Sequence, residues 1–546
     1  MFDLLIKNAT ILDGSGEKRY RGDIGLKQDK IAAIGELANE KAKVEIDTKN
    51  LVVSPGFVDL LNHSDSYLTI LTTPTLDSLL MQGVTSILVG HCGASLAPLG
   101  SGLLKKTVSK WASLFRTIDF PPNEGAAAFK SIRRWADIRG VNIDWLTMAE
   151  FLNRIEKKGL SANMGTLVGH GTIRRSIVRE EKRNLTDTEL DYFQNILAES
   201  LDEGALGMST GLNYAHVHYT STDELMELAG TLHRREGKYF THLRYSGASL
   251  VKGVEEAIKV GQETKVGVEI SYLKARSIYR AEFEEALAKI SQASKEGLEI
   301  NFDFCPYDYS WSVLYTSLPR NSYTGSREDL LKRLGSDSGF KRILEAFKKE
   351  KPDLADLTIA YAPFNKTYVG RKIEDIASER GISPEEATLQ VLKGCQGHVI
   401  CFNSLENEEL IEESVKHPLG IVASGGAGYS RDYEKEGQLV HPRCFGAFPR
   451  FLSKYVRERK LLTLEKAIQK ITSIPALKAG IADRGFIHEG MKADLVIFDP
   501  NTIADLATYN NPFNYPVGIE YVIVNGEIVV KDAKHQGNLP GQIIKS

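Results

Sequence analysis

Seven segments of this 546-residue chain have a common form: an apolar, β-branched run that stops in a polar or glycine-rich turn. PGFVDLL runs into Asn62-His63-Ser64-Asp65, VTSILVG into His91-Cys92-Gly93, and MGTLVG into His170-Gly171. KYFT runs into His242-Leu243-Arg244, VGVEIS into Tyr272-Leu273-Lys274, LEINFDF into Cys305-Pro306-Tyr307, and GIVAS into Gly425-Gly426. Of the 12 histidines, His63, His91, His170 and His242 lie at such ends, and His216 lies in a nearby loop. Imidazole and thiolate are the donors zinc prefers, and ligands from separate strand ends can converge on one ion. His63, Cys92 and His242 are the set best placed for this. Arg244 and Lys274 suit a different task, the clamping of a carboxylate. Each residue also has a plainer reading. Cys92 alone is a small buried apolar side chain, Asp65 a helix cap, and His216 with His218 an exposed loop pair.

Side chains at strand ends need a scaffold that gathers those ends. Between residues ~54 and ~479 the pattern alternates strand and helix, which implies a parallel sheet. Nine runs read as strands, ALGMS and HVICF in addition to the seven above, and a count near eight favours a closed (β/α)8 barrel with one strand outside it. In that fold the C-terminal strand ends carry the chemistry. Thr186-x-x-Glu189 and Ser221-x-x-Glu224 read as capping boxes that start two of the helices. Residues 1–53 and 480–546 read instead as hairpins, with Asn525-Gly526 a type I′ turn. The expectation is therefore one small β-sandwich domain built from both ends, and a barrel over 54–479. A stretch around 310–356, Ser-rich and then Lys-rich, reads as an insertion covering the barrel mouth.

Composition narrows the functional classes. Hydrophobic residues make up 42% and charged residues 25%, as in an ordinary globular chain. The net charge of −3 gives no electrostatic footprint for nucleic acid or an anionic membrane, and no apolar run is long enough to span a bilayer. The start, MFDLLIKNATILDG, has no basic stretch before an apolar one, so a cytoplasmic location is the expectation. Five scattered cysteines form no disulfide framework. A small-molecule substrate is the expected partner, and a homo-oligomer is left open.

Several longer blocks are specific: PGFVDLLNHSD, VTSILVGHCGASLAPLG, LVGHGTIR, GALGMSTGLNYA, FTHLR, EISYLK, HPRCFGAFPRFL and GMKADLVIFDP. In this order they resemble the D-aminoacylase (N-acyl-D-amino-acid deacylase) family of the amidohydrolase superfamily, over nearly the whole chain. The resemblance implies a (β/α)8 barrel with a terminal β-sandwich, and zinc-dependent hydrolysis of an amide bond. It implies His63, Cys92 and His242 as metal ligands; His170, Tyr214, Arg244 and Lys274 are the residues expected to bind substrate.

The chain departs from the family pattern where the chemistry is made. The first histidine of the family's H-x-H is Leu61. The histidines of I-S-H-H-K are Tyr272 and Leu273, and the aspartate of S-D-G, ligand and base in one, is Gly425. At most one zinc ion is then expected. A replacement base must come from Asp65, Tyr272, Lys274 or the insertion. Three readings stay open: a deacylase-like hydrolase with an altered site, a metal-independent enzyme on the same scaffold, and a non-catalytic ligand-binding relative.

Overall fold

The computed structural model describes residues 1–49, 51–99, 140–179, 181–214, 217–323, 327–350, 352, 354, 356–404 and 406–546. Eight barrel positions are filled in chain order: β1 (Phe57–Asp59), β2 (Val84–Val89), β3 (Asn163–Thr166 continuing as Val168–Gly169), β4 (Gly207–Gly211), β5 (Lys238–His242), β6 (Val268–Ile270), β7 (Ile300–Phe304) and β8 (Gly420–Val422). Every ladder between neighbours is parallel. The ring closes between β8 and β1 through loop contacts: Gly425 N–H donates to the Leu61 carbonyl at 2.9 Å, and His63 N–H to the Gly426 carbonyl at 2.7 Å. Asp59, buried on β1, accepts from the backbone of Ser424 at 2.8 Å and from Asn62 at 2.7 Å, pinning both sides of the closure.

Helices pack their apolar faces on this barrel. Asp187–Asp202 starts at Thr186 with both capping-box hydrogen bonds present and buries Phe193, Ile196, Leu197 and Leu201. At Thr222–His233 only half of the expected box forms. Ser221 Oγ accepts from Glu224 N–H at 3.1 Å, but the Glu224 carboxylate turns inward to the His170 ring at 2.9 Å and Arg174 at 3.2 Å. A buried ion-pair site outcompetes the exposed backbone N–H for the same carboxylate.

HVICF lies outside the barrel. As Ile400–Ser404 it is the central strand of an antiparallel sheet with Tyr309–Val313 and Thr358–Tyr361. Four helices cover that sheet, and its core includes Leu330, Phe347, Leu389 and Cys401. The covering segment thus runs well past residue 356. Its amphipathic helices bury their apolar faces on this local sheet, so it has a core of its own. Strands from both chain ends share one further sheet, in which Val52–Pro55 pairs antiparallel with Leu495–Phe498. Asn525 and Gly526 both have positive φ, 49° and 80°, as a type I′ turn requires.

Candidate active site

A cavity of about 600 Å³ opens at the C-terminal mouth of the barrel. Its floor is made by Leu61 and His63 after β1, Cys92 after β2, Tyr214 after β4, His242 at the end of β5, and Tyr272, Lys274 and Arg276 after β6. Trp311, Tyr323 and Leu354 reach in from the covering sheet and its helices, and Arg443 from the helix Arg443–Arg450.

Two non-glycine residues on this floor have left-handed backbone: Cys92 at φ 57° and Tyr272 at φ 53°. That conformation is costly for residues with a Cβ, and it turns each chain sharply at its strand end. The turn at Tyr272 is held by its N–H, which donates to Asp303 Oδ1 at 2.8 Å. At Cys92 the next residue, Gly93, donates its N–H to Ser209 Oγ at 3.0 Å. The Cys92 carbonyl packs so closely on β4 that a Cβ at Gly211 would stand 2.2 Å from it.

Of the residues singled out from the sequence, His63, Cys92, Tyr214, His242, Tyr272 and Lys274 share the cavity. Cys92 Sγ lies 3.5 Å from His242 Nδ1. His170 does not line it: its buried ring stacks on Phe193 and pairs with Glu224. Arg244 is held by the Glu256 carboxylate and by the His218 carbonyl, so its fork is committed to the scaffold. Asp65 is buried away from the cavity, accepts from Gly90 N–H at 3.0 Å, and is pushed up to about 7 by burial. His91 packs edge-on against Phe240, inside the barrel. His216 lies outside the described residues.

Arg443 was not singled out, because it follows no strand. It begins a helix in the HPR segment, and its position is set by His441. The His441 Nδ1 accepts from Arg443 N–H at 3.0 Å, while Nε2 faces the Tyr309 carbonyl at 2.9 Å. The guanidinium lies 5.6 Å from the Tyr272 ring centroid and 5.4 Å from that of Trp311. Its Nε and Nη1 are buried with no hydrogen-bond partner among the described residues, and so is the Tyr272 hydroxyl. Unsatisfied donors of this kind, aimed at a cavity, are what an anionic ligand would satisfy.

Burial sets the protonation states. It pushes His63 and His242 down to about 3, so both rings are neutral at ordinary pH. Burial, with Asp303 nearby, pushes the Cys92 thiol up to about 12. Lys274 is lowered to about 8, chiefly by burial. Arg443 stays charged: burial works against the guanidinium, but its value is still raised above the ordinary one.

The donor set can be tested against a resident metal. A catalytic zinc wants about three protein ligands and an open position. Among the described residues no three His, Cys, Asp or Glu side chains come together closely enough to hold an ion. On the other side, neither Leu61 nor Gly425 has a side-chain donor atom. A Cβ at Gly425 would stand 3.2 Å from Leu61 Cδ2 and 3.3 Å from Arg443 Nη1. Here the chain presents a methyl group and a guanidinium, neither of which can ligate a metal ion. A resident zinc does not fit that arrangement, in which Lys274, Arg276 and Arg443 already supply positive charge.

Comparison with known proteins agrees with this architecture. The model of the amidohydrolase family matches residues 439–530. D-aminoacylase of Alcaligenes xylosoxydans xylosoxydans is 29% identical over 543 residues, covering 100% of this chain and 97% of that protein. N-acyl-D-glutamate deacylase of the same organism is 29% identical over 544 residues, 100% of this chain and 96% of its own. The crystal structure of N-acyl-D-glutamate deacylase from Bordetella bronchiseptica, complexed with zinc and a phosphonate inhibitor, superposes with a TM-score of 0.81 at 28% identity, covering 100% of both chains. The chain is a homologue of these deacylases, within the amidohydrolase superfamily. It has the superfamily's TIM barrel with a small β domain, as the sequence led us to expect. Among the described residues no helix is long and apolar enough to cross a membrane.

Proposed function

We propose that this protein hydrolyses a non-peptide C–N amide bond, removing the acyl group from an N-acyl amino acid or related small amide. The observation that carries the reading is the full-length similarity to deacylases acting on such amides, joined to a cavity built from the corresponding strand ends. No step of it is routed through a metal ion: among the described residues His63, Cys92 and His242 are the imidazole and thiol groups lining the cavity, and no three such side chains come together to hold one.

The residues present divide the work as follows. The Lys274 ammonium holds the substrate carboxylate. Arg443 Nη1 and the Tyr272 hydroxyl, each without a hydrogen-bond partner by geometry among the described residues and close enough to each other to act together, donate to the oxygen that gains charge as water adds to the acyl carbon. The neutral rings of His63 and His242 are the bases within the cavity. A ring that resists protonation this strongly is a weak base, so proton removal from water is slow and turnover falls below the ordinary range of about 1–10³ per second. Tyr214 packs at 6.1 Å from the His242 ring and walls that side. The test is incubation with N-acyl-D- and N-acyl-L-amino acids, with release of free amine measured. Slow amine release that is lost in Arg443→Met supports the reading; no release from any member of the panel refutes it.

A further inference from the structure

Cys92 is placed as a nucleophile is placed. Cys305, Cys395, Cys401 and Cys444 are buried, and Cys92 alone of the five cysteines is not. It lines the cavity, where its Sγ stands 3.5 Å from His242 Nδ1. Its left-handed turn at φ 57° falls between Gly90 and Gly93, at φ 85° and 72°. A sharp turn of this kind ends a strand abruptly and leaves the side chain clear of the sheet. The Tyr214 hydroxyl donates to the sulfur, a contact that favours the thiolate, while burial and the nearby Asp303 oppose it. At rest the pair is therefore a neutral thiol beside a neutral ring. The same cavity holds Arg443, which is 5% exposed. Its Nε and Nη1 have no partner by geometry among the described residues, and neither has the Tyr272 hydroxyl. A nucleophile, a base within reach and donors for an oxyanion are the parts that acyl transfer requires.

We infer that Cys92 is the catalytic nucleophile, and that hydrolysis runs through a thioester on its sulfur. This inference rests on the reading of the site as an amide hydrolase, and adds a step before water enters. His242, with its ring proton on Nε2, takes the thiol proton at Nδ1 as a sulfur lone pair forms the S–C bond to the acyl carbon. The carbonyl π pair moves to oxygen, where Arg443 and Tyr272 donate. As the carbonyl re-forms, the C–N bond breaks and the amine leaves with the proton from His242. Water then adds to the thioester carbon and gives a proton to His242. Collapse breaks the C–S bond, the proton returns to sulfur and the acid departs. One amide and one water enter; one amine and one acid leave. Acidity favours sulfur over water in the first step. Even pushed up to about 12, the thiol is a stronger acid than bulk water at about 15.7, so it yields its proton more readily to a weak base.

The experiment follows the acyl group. The wild-type chain is mixed with p-nitrophenyl acetate, which needs no amide cleavage, quenched in acid and mapped by mass spectrometry. The expected result is one acetyl group on the Cys92 peptide. His242→Gln should slow its appearance about 10²-fold or more. With N-acetyl amino acids of both hands, added hydroxylamine should divert the acetyl group to acetohydroxamate. Cys92→Ala should abolish both the acetyl group and amine release. Cys92→Gly, which suits the left-handed turn, is the check if the alanine variant fails to fold. Acetate without hydroxamate, or amine release that persists in Cys92→Ala, would overturn the inference and leave the hydrolase reading standing. An acetyl group found only on lysine, or formed as fast in His242→Gln, would also overturn it. Acetylation of Cys92 by the ester, with no amine released from any amide, would refute the hydrolase reading and leave the nucleophile standing.

Discussion

Arg443 and Lys274 carry the site's charge, and each has its own signature. Removing the guanidinium with Arg443→Met takes away a preorganised donor to the developing oxyanion. A loss of about 10²–10³ in kcat/KM is expected, mostly in kcat. Lys274 acts on binding instead. Lowered to about 8 by burial, it loses its charge as pH rises through that value, and KM should climb while kcat changes less. The groups facing it are Arg276, Glu406, Cys92 and Arg443; Asp303, which accepts from Tyr272 N–H at 2.8 Å, is itself raised to about 8 by burial, so the limb should disappear in Lys274→Met if the lysine is its source. On the acid side no imidazole limb near 6.5 is expected, because His63 and His242 stay neutral down to about 3. A pH profile of kcat/KM with a limb at 6–7 would show that the cavity rings are better solvated than their burial implies. At this scale the sequence was informative about which residues meet. His63, Cys92, His242, Tyr272 and Lys274 share one property, that each follows a parallel strand. It was silent on Arg443 and Arg276. Arg443 reaches the cavity from a helix start, and what places it there is the pairing of His441 with the Tyr309 carbonyl, more than 130 residues away in the chain.

The strand-end turns are the elements on which the account depends. Gly211 is needed because the left-handed turn at Cys92 puts its carbonyl where a Cβ would be. Gly211→Ala should cost about 1–3 kcal/mol by overpacking. It should also displace Cys92 from His242, so activity should fall further than thermal stability. The half-formed cap at Ser221 gives a contrasting prediction. Glu224 is 3% exposed and serves His170 and Arg174, which are 0% and 1% exposed. Glu224→Ala strands these groups in the interior and should destabilise the chain by about 3–5 kcal/mol. Affinity for an N-acyl amino acid in the protein still folded should not change, because His170 lies outside the cavity; a parallel loss of affinity would restore it to the binding site. The sequence spacing at 221–224 matched that at 186–189. What separated the two was a partner across the fold that local pattern does not reveal.

In the whole molecule, the barrel brings its strand ends to one rim, and the covering sheet closes that rim from above. The barrel and the terminal β domain follow from patterns visible along the chain: strand–helix alternation in the middle and hairpin periodicity at the two ends. The extent of the covering segment was not legible, because HVICF reads like any barrel strand until its antiparallel partners are known. That positions 61, 272, 273 and 425 hold no imidazole or carboxylate was legible, and the structure adds that guanidinium and ammonium groups stand on the same floor. The central claim is amide hydrolysis at this rim without a two-metal centre. The most direct measurement is amine release from N-acyl amino acids by a single purified sample, before and after exhaustive chelation, with zinc counted in the same sample. The account predicts at most one zinc per chain and a slow turnover that chelation leaves unchanged. Two zinc ions per chain, with activity that disappears on chelation and returns with added zinc, would contradict it.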